Sequence, residues 1–148
     1  MAAILWMPGL LPGQTNLLTV TPPPKQSVKK NAEFTAKVDV QLRPGYHVNS
    51  NTPSDDYLIG LRLTWAASPL DVQQVSYPKP SMEKYDFSEK PISVFSGGFA
   101  ITTRFRIPAG AAPGMMIVTG KLRYQACSNK ECFPPKTIEV KLPVDIVN

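Results

Sequence analysis

The chain has few of the side chains from which most metal and catalytic sites are built: 148 residues include two cysteines and one histidine. A structural zinc ion takes four ligands of this kind, so the composition argues against a zinc site. Two adjacent methionines, Met115 and Met116, are the nearest approach to a soft copper site, but methionine more commonly fills gaps in a core. We therefore expect no metal and no cofactor.

Long hydrophobic runs and concentrated charge are also missing. No segment reaches the roughly 18 consecutive apolar residues of a membrane helix. The net charge is +5, but the basic residues are scattered and form no stripe with interleaved aromatics, which argues against nucleic-acid binding. Hydrophobic residues make up 43% of the chain and charged residues 18%, a balance typical of one globular domain. We expect a monomer.

Helical periodicity is absent, and strict alternation of apolar and polar residues takes its place. Sixteen prolines favour short elements separated by loops. Strands with a single apolar face need a second sheet to cover that face, so the pattern predicts an all-β, immunoglobulin-like antiparallel β-sandwich of about eight strands. The predicted strands are 17–21, 33–42, 61–65, 70–76, 92–95, 99–107, 116–126 and 138–146.

The first 15 residues differ from the rest of the chain. They are apolar but lack the basic start and the uninterrupted core of a secretory signal. An apolar arm, a signal remnant and a cloning scar all fit this composition. We expect residues 16–148 to form one domain.

Both cysteines lie in one short stretch, Tyr124–Pro135, between the last two predicted strands. If these strands form a hairpin with Cys127 opposite Cys132, the Cα atoms lie roughly 4.5–5.5 Å apart, which suits a disulfide. Closing so short a loop stabilises a fold by only about 2 kcal/mol, against nearly 5 kcal/mol for a loop of about a hundred residues. Such a bond can open and close without unfolding the domain, which favours thiol–disulfide exchange. A passive staple in a β-sandwich binding module remains the alternative, because C-x4-C is not the C-x-x-C redox spacing.

Five neighbours of the pair are candidates for tuning it. Lys130 is a cation that can lower a thiol pKa, and Phe133 begins a rigid apolar rim that a partner's disulfide can contact. Tyr124 falls on the core face of its strand, and Tyr46 can line the site. His47 can tune a thiol or shuttle a proton, but its loop-like surroundings favour a surface or packing role.

Three stretches resemble the N-terminal periplasmic domain of the thiol:disulfide interchange protein DsbD: Tyr124–Thr137, Pro44–Pro53 with the Asp56–Ile59 segment, and Lys90–Gly97. The resemblance implies an immunoglobulin-like domain of a thiol:disulfide oxidoreductase in the bacterial periplasm. It implies a thioredoxin-like domain as electron donor and oxidised periplasmic proteins as acceptors.

The same resemblance implies roles for individual residues. Cys132 exchanges with partners and Cys127 resolves the mixed disulfide. A cap loop within residues 83–89, with Tyr85 and Phe87, shields the pair until a partner displaces it. Members of the family can have a longer loop between the cysteines, and the full protein carries a membrane domain and a thioredoxin domain. Neither of these domains fits in 148 residues, so we expect an excised domain or a free-standing relative.

Overall fold

The structure is a computed structural model that describes residues 17–148. It shows twelve β-strands, and no helix occurs within that range. The expectations for the first 15 residues lie outside the described residues.

All eight predicted segments form strands. They are β1 Leu18–Thr21, β3 Glu33–Leu42, β5 Arg62–Ala66, β6 Asp71–Ser76, β8 Ile92–Ser96, β9 Gly98–Arg106, β10 Gly114–Tyr124 and β12 Lys136–Val147. The predicted number of strands, about eight, was lower than the twelve observed. The other four strands have only two to four residues, which is too short to show alternation. These are β2 Gln26–Lys29, β4 His47–Asn49, β7 Ser81–Glu83 and β11 Ala126–Cys127.

The strands form an immunoglobulin-like sandwich of two four-stranded sheets with a third, smaller sheet at one end. The first sheet has the order β1-β3-β9-β6, and the second has the order β2-β12-β10-β5. All pairings in these sheets are antiparallel except that of β2 with β12. The third sheet, β11-β4-β8-β7, carries one cysteine and is called the cysteine sheet below.

The core lies between the first two sheets and follows from the alternation. Phe105 is fully buried, stacks on Phe34 with ring centroids 5.2 Å apart and meets the edge of Trp65 at 5.3 Å. The indole N–H of Trp65 donates to the Thr103 hydroxyl at 2.9 Å, which satisfies a polar group with no solvent exposure. Gly120 lies beneath the same indole, where an added Cβ would come within 2.8 Å of the ring.

The predicted hairpin is confirmed, and it positions the cysteines. Strands β10 and β12 pair along their whole length, from Gly114 opposite Ile146 to Tyr124 opposite Lys136. Both cysteines therefore lie in the connection at 125–135, at the end of the sandwich next to the cysteine sheet.

The two faces of the cysteine sheet have different neighbours. One face carries Ala126, Val48 and Phe95, which belong to the main core. Directly paired residues share a face, so the opposite face carries Cys127 and His47. That second face is where the candidate site lies.

Candidate functional site

Cys127 and Cys132 form a disulfide in the structure. Cys127 ends β11, and Cys132 faces it as an isolated antiparallel bridge. The sulfurs are 2.08 Å apart, and the Cα atoms are 4.0 Å apart, somewhat closer than the spacing predicted for a regular strand pair. The four residues between the cysteines form a tight turn, in which the Ser128 N–H donates to the Glu131 carbonyl at 2.8 Å. The short loop is therefore an ordered turn with the two sulfurs at its base.

The two cysteines differ in accessibility. Cys127 has no solvent exposure, whereas Cys132 is partly exposed. Because an attacking thiolate must contact a sulfur of the disulfide, Cys132 is the cysteine that a partner can reach more readily.

Three nearly parallel aromatic rings stack on the face of the cysteine sheet that carries Cys127. His47, opposite Cys127 in the ladder, is 2% exposed and stacks on Tyr85 with ring centroids 3.9 Å apart. Phe87 lies 5.7 Å from Tyr85 and 6.1 Å from His47. Tyr85 and Phe87 belong to the loop between β7 and β8, called the cap loop (residues 84–91). The structure thus brings the two predicted shielding residues over the face of the cysteine sheet that carries Cys127.

The cap loop also rests on a small apolar cluster. Tyr85 and Phe87 are half-buried and pack against Leu58, Ile92 and Val94. Burial raises the pKa of Tyr85, with a smaller contribution from the negative charge of Glu83. The hydroxyl is therefore neutral near pH 7, and the two rings form an apolar, uncharged cover over His47.

The structure places His47 at the first residue of β4, and its burial agrees with a packing role rather than a surface one. His47 lies in β4, all three of whose residues are buried, because the main core covers one face of that strand and the cap covers the other. Strand β4 is therefore buried on both faces as well as short, and it shows no alternation from which the sequence could predict it. Burial lowers the pKa of His47 to about 4, so the ring is neutral near pH 7.

Two hydrogen bonds join the cap loop to the turn between the cysteines. The Asp86 N–H donates to the Asn129 carbonyl at 3.1 Å, and the Asn129 amide donates to the Asp86 carboxylate at 3.2 Å. Asp86 lies between the two cap rings, and Asn129 lies between the two cysteines. These two bonds hold the cap loop against the turn, and we call the pair the latch.

The side chain of Gln125 makes a second polar connection to the cysteine loop, which sequence analysis did not predict. The Gln125 amide donates to the Phe133 carbonyl at 3.3 Å, and its oxygen accepts from the Asn49 amide and the Ile59 N–H, both at 3.2 Å. Gln125 is one residue beyond β10 on the polar side of the alternation, yet it is half-buried. Its position two residues before Cys127 was the one feature of the sequence that indicated a role in the site.

Two further predicted residues, Phe133 and Tyr46, form an apolar rim next to the turn between the cysteines. Phe133 is half-buried, its N–H donates to the Ala126 carbonyl at 2.9 Å, and its ring lies 6.2 Å from that of Tyr46. Tyr124 is buried, and burial raises its pKa. The rim surrounds a mainly apolar cavity of about 120 Å³, whose lining is Leu17, Tyr124, Ala126, Phe133, Pro134, Pro135 and Lys136.

Lys130 is exposed in the turn between the cysteines. Its N–H donates to the Ser128 hydroxyl at 3.2 Å, which helps to fix the turn. Residues 17–148 contain no group of three or more side chains that could hold a metal ion. Within the same range, no helix is long and apolar enough to cross a membrane.

Solved structures with a similar fold come from several protein classes. The N-terminal periplasmic domain of ScsB from Proteus mirabilis is 16% identical with a TM-score of 0.59, over 90% of this chain and 49% of that one. The DsbD N-terminal domain of Neisseria meningitidis, in the reduced form, is 18% identical with a TM-score of 0.51, over 78% of this chain and 82% of that one. A PapD-like domain of human CEP192 is 12% identical with a TM-score of 0.53, over 100% of this chain and 96% of that one.

At these identities the structural matches show the fold alone, and the CEP192 domain illustrates that one sandwich serves unrelated proteins. The chain spans about half the length of the ScsB structure. A search of curated proteins finds no significant match.

The family comparison is more specific, because it matches sequence along nearly the whole chain. The family described as the N-terminal region of the thiol:disulfide interchange protein DsbD matches residues 14–143, which include both cysteines, the cap loop and β4. The chain therefore belongs to the family of DsbD N-terminal domains.

Proposed function

We propose that this domain carries reducing equivalents from a thioredoxin-like donor to oxidised extracytoplasmic proteins through the Cys127–Cys132 pair. Family membership and the disulfide make the chain a thiol–disulfide exchange domain. The donor, the acceptors and the direction of transfer are the parts that we propose. Residues 16–148 act as one such domain and as a monomer.

The observation that carries the proposal is the unequal exposure of the two cysteines. A donor thiolate attacks the partly exposed Cys132, the Cys127–Cys132 bond breaks, and Cys127 leaves as a buried thiolate, which then takes up a proton from water. The donor's second thiol then attacks the mixed disulfide and releases Cys132. The reduced domain repeats the chemistry in the opposite sense on an acceptor, with Cys132 attacking and Cys127 resolving.

The proposed roles of the surrounding residues follow from their positions. Tyr85 and Phe87 shield the pair until a partner lifts the cap loop, since they stack over His47, the ladder neighbour of Cys127. Phe133 and Tyr46 form the apolar rim on which a partner docks, and Lys130 presents a positive charge beside it. Tyr124 supports the rim from the core.

The proposed location is the periplasm. The ScsB relative is a periplasmic domain by its description, and this chain has the same fold. An oxidising compartment is also where a disulfide such as this one persists between turnovers.

Electron transfer from a donor tests the proposal. The oxidised domain is mixed with a reduced thioredoxin-like protein, quenched with acid and alkylated so that free thiols add mass. We expect both domain cysteines to become alkylated as the donor becomes oxidised, and an oxidised protein added before the quench to restore the disulfide and prevent alkylation. A donor that stays reduced, while dithiothreitol reduces the domain under the same conditions, would contradict the proposed path.

A further inference from the structure

His47 and Cys127 are direct neighbours on the covered face of the cysteine sheet. They form a register pair between β4 and β11, and the side chains of such a pair lie on one face with Cβ atoms about 4.5–5.5 Å apart. The next strand places Ser96 opposite His47 on its other side. The imidazole is thus the ring nearest in the ladder to the buried sulfur.

One nitrogen of this imidazole lacks a partner. Nε2 of His47 is buried and makes no hydrogen bond to any residue within 17–148. Buried polar atoms are nearly always satisfied, so an exception calls for an explanation. In the disulfide state Cys127 has no proton to donate, whereas reduction creates an S–H group on the residue paired with His47 in the ladder.

We propose that His47 accepts the proton of the Cys127 thiol when Cys127 resolves a mixed disulfide on Cys132. The inference rests on the proposed function, because it adds a proton acceptor to that same exchange. It makes His47 the group that activates the buried nucleophile, in addition to its packing against the cap.

The step balances as follows. The Cys132 thiolate has displaced one sulfur of the partner's disulfide and is bonded to the other. The Cys127 proton passes to Nε2 of His47, and the sulfur's electron pair attacks Cys132. The Cys127–Cys132 bond forms, the bond to the partner breaks, and the partner's sulfur leaves as a thiolate. The domain has lost two electrons, the partner has gained two, and His47 returns its proton to water.

The surroundings keep His47 able to take up that proton. Burial under the cap holds its pKa near 4, so the ring is neutral before a partner arrives. Lifting Tyr85 exposes the ring to water and removes the cause of that shift, which brings the pKa back towards about 6.5 and makes the ring a better base.

The charged and titratable groups around the ring do not compete for this role. Cys127 faces it from β11, and Tyr85 faces it from the cap loop with its pKa raised. Ser96 faces it from β8 and does not titrate. Asp86 is exposed, and its carboxylate is bound in the latch, while Glu83 in β7 is exposed.

The test separates the two chemical steps with an aromatic disulfide reagent whose released thiolate is coloured. Attack by Cys132 releases the first coloured thiolate, and resolution by Cys127 releases the second, so stopped-flow absorbance gives both rates. His47→Phe keeps a ring in the stack and removes the nitrogen. His47→Gln keeps a polar side chain that cannot take up a proton and avoids the added bulk.

We expect His47→Phe to leave the first rate within about twofold of wild type, because it keeps a ring for Tyr85 to stack on. Both variants should slow the second rate at least tenfold relative to the first near pH 7, a threshold below the roughly 10²- to 10⁴-fold of general-base catalysis. The wild-type resolution rate should level off above about pH 6.5, whereas the variants should gain about tenfold per pH unit up to a free thiol pKa near 8.5. Resolution with wild-type rate and pH profile in the variants would overturn the inference. If wild type forms no mixed disulfide through Cys132, the proposed function itself fails, and the two failures are thereby distinguished.

Discussion

A Cys127→Ser variant is expected to stop at a stable mixed disulfide with an oxidised partner, joined through Cys132. Cys132 is the partly exposed sulfur, so it can still attack. Without the Cys127 thiol no internal nucleophile remains to release the partner, since these are the chain's two cysteines. Non-reducing electrophoresis should show nearly complete conversion to the heterodimer, against a small steady-state fraction for wild type.

The matched control is Cys132→Ser, which leaves the buried Cys127 as the one thiol. With 0% exposure, Cys127 should form the mixed disulfide at least a hundredfold more slowly, because attack requires contact between the sulfurs. Equal trapping by both variants would show that the two cysteines are interchangeable and would refute the assigned roles.

Removing both cap rings, with Tyr85→Ala and Phe87→Ala together, should accelerate alkylation of the reduced domain by about 10- to 100-fold. The two half-buried rings together contribute about 1.5–3 kcal/mol to holding the cap closed, and each 1.4 kcal/mol corresponds to about tenfold in the open population. Alkylation should therefore report the fraction of time for which the cap is lifted. Rates are measured with an uncharged alkylating reagent under second-order conditions.

Tyr57→Ala provides the control for losing an aromatic side chain from this region. Tyr57 is 65% exposed and takes no part in the ring stack, so its removal should leave the alkylation rate unchanged. Unchanged rates in the double variant as well would show that the rings pack on the sheet without shielding the thiols.

Weakening the latch should also open the cap loop and expose the reduced thiols. Asn129→Asp places two carboxylates together where an amide met a carboxylate, and we expect alkylation to accelerate about two- to tenfold, in line with the loss of a hydrogen bond worth about 0.5–1.5 kcal/mol. Adding Asp86→Asn to this variant exchanges the two groups and should restore the wild-type rate. A double variant as fast as the single one would exclude the hydrogen bond as the cause.

The sequence was sufficient for the features that depend on regular alternation. Strands β3, β10 and β12 each bury every second residue over part of their length, so their faces and the hairpin between them follow from the pattern. The cysteine positions at the end of that hairpin follow in turn. The roles assigned to Cys127 and Cys132 depended on the family resemblance, because spacing alone left a passive staple open.

The parts of the site that were missed depend on contacts between distant residues. The latch joins residues 43 positions apart, and the Asn49–Gln125 bond spans 76. Neither bond follows from the local sequence, because the partners meet only after the sheets have formed. The burial of His47 was left open for a related reason: β4 and most of β8 are buried on both faces, so alternation does not indicate there which side chains face the core.

The account depends on the Cys127–Cys132 bond being one that partners reduce and reform while the sandwich stays folded. Its reduction potential tests this most directly, by equilibration of the domain in glutathione and dithiothreitol buffers and counting of alkylated thiols. We predict a value between about −270 and −120 mV, the range of exchange proteins, with unchanged far-ultraviolet circular dichroism in both states. A value below about −300 mV, as structural disulfides have, would contradict the account and establish the bond as a staple.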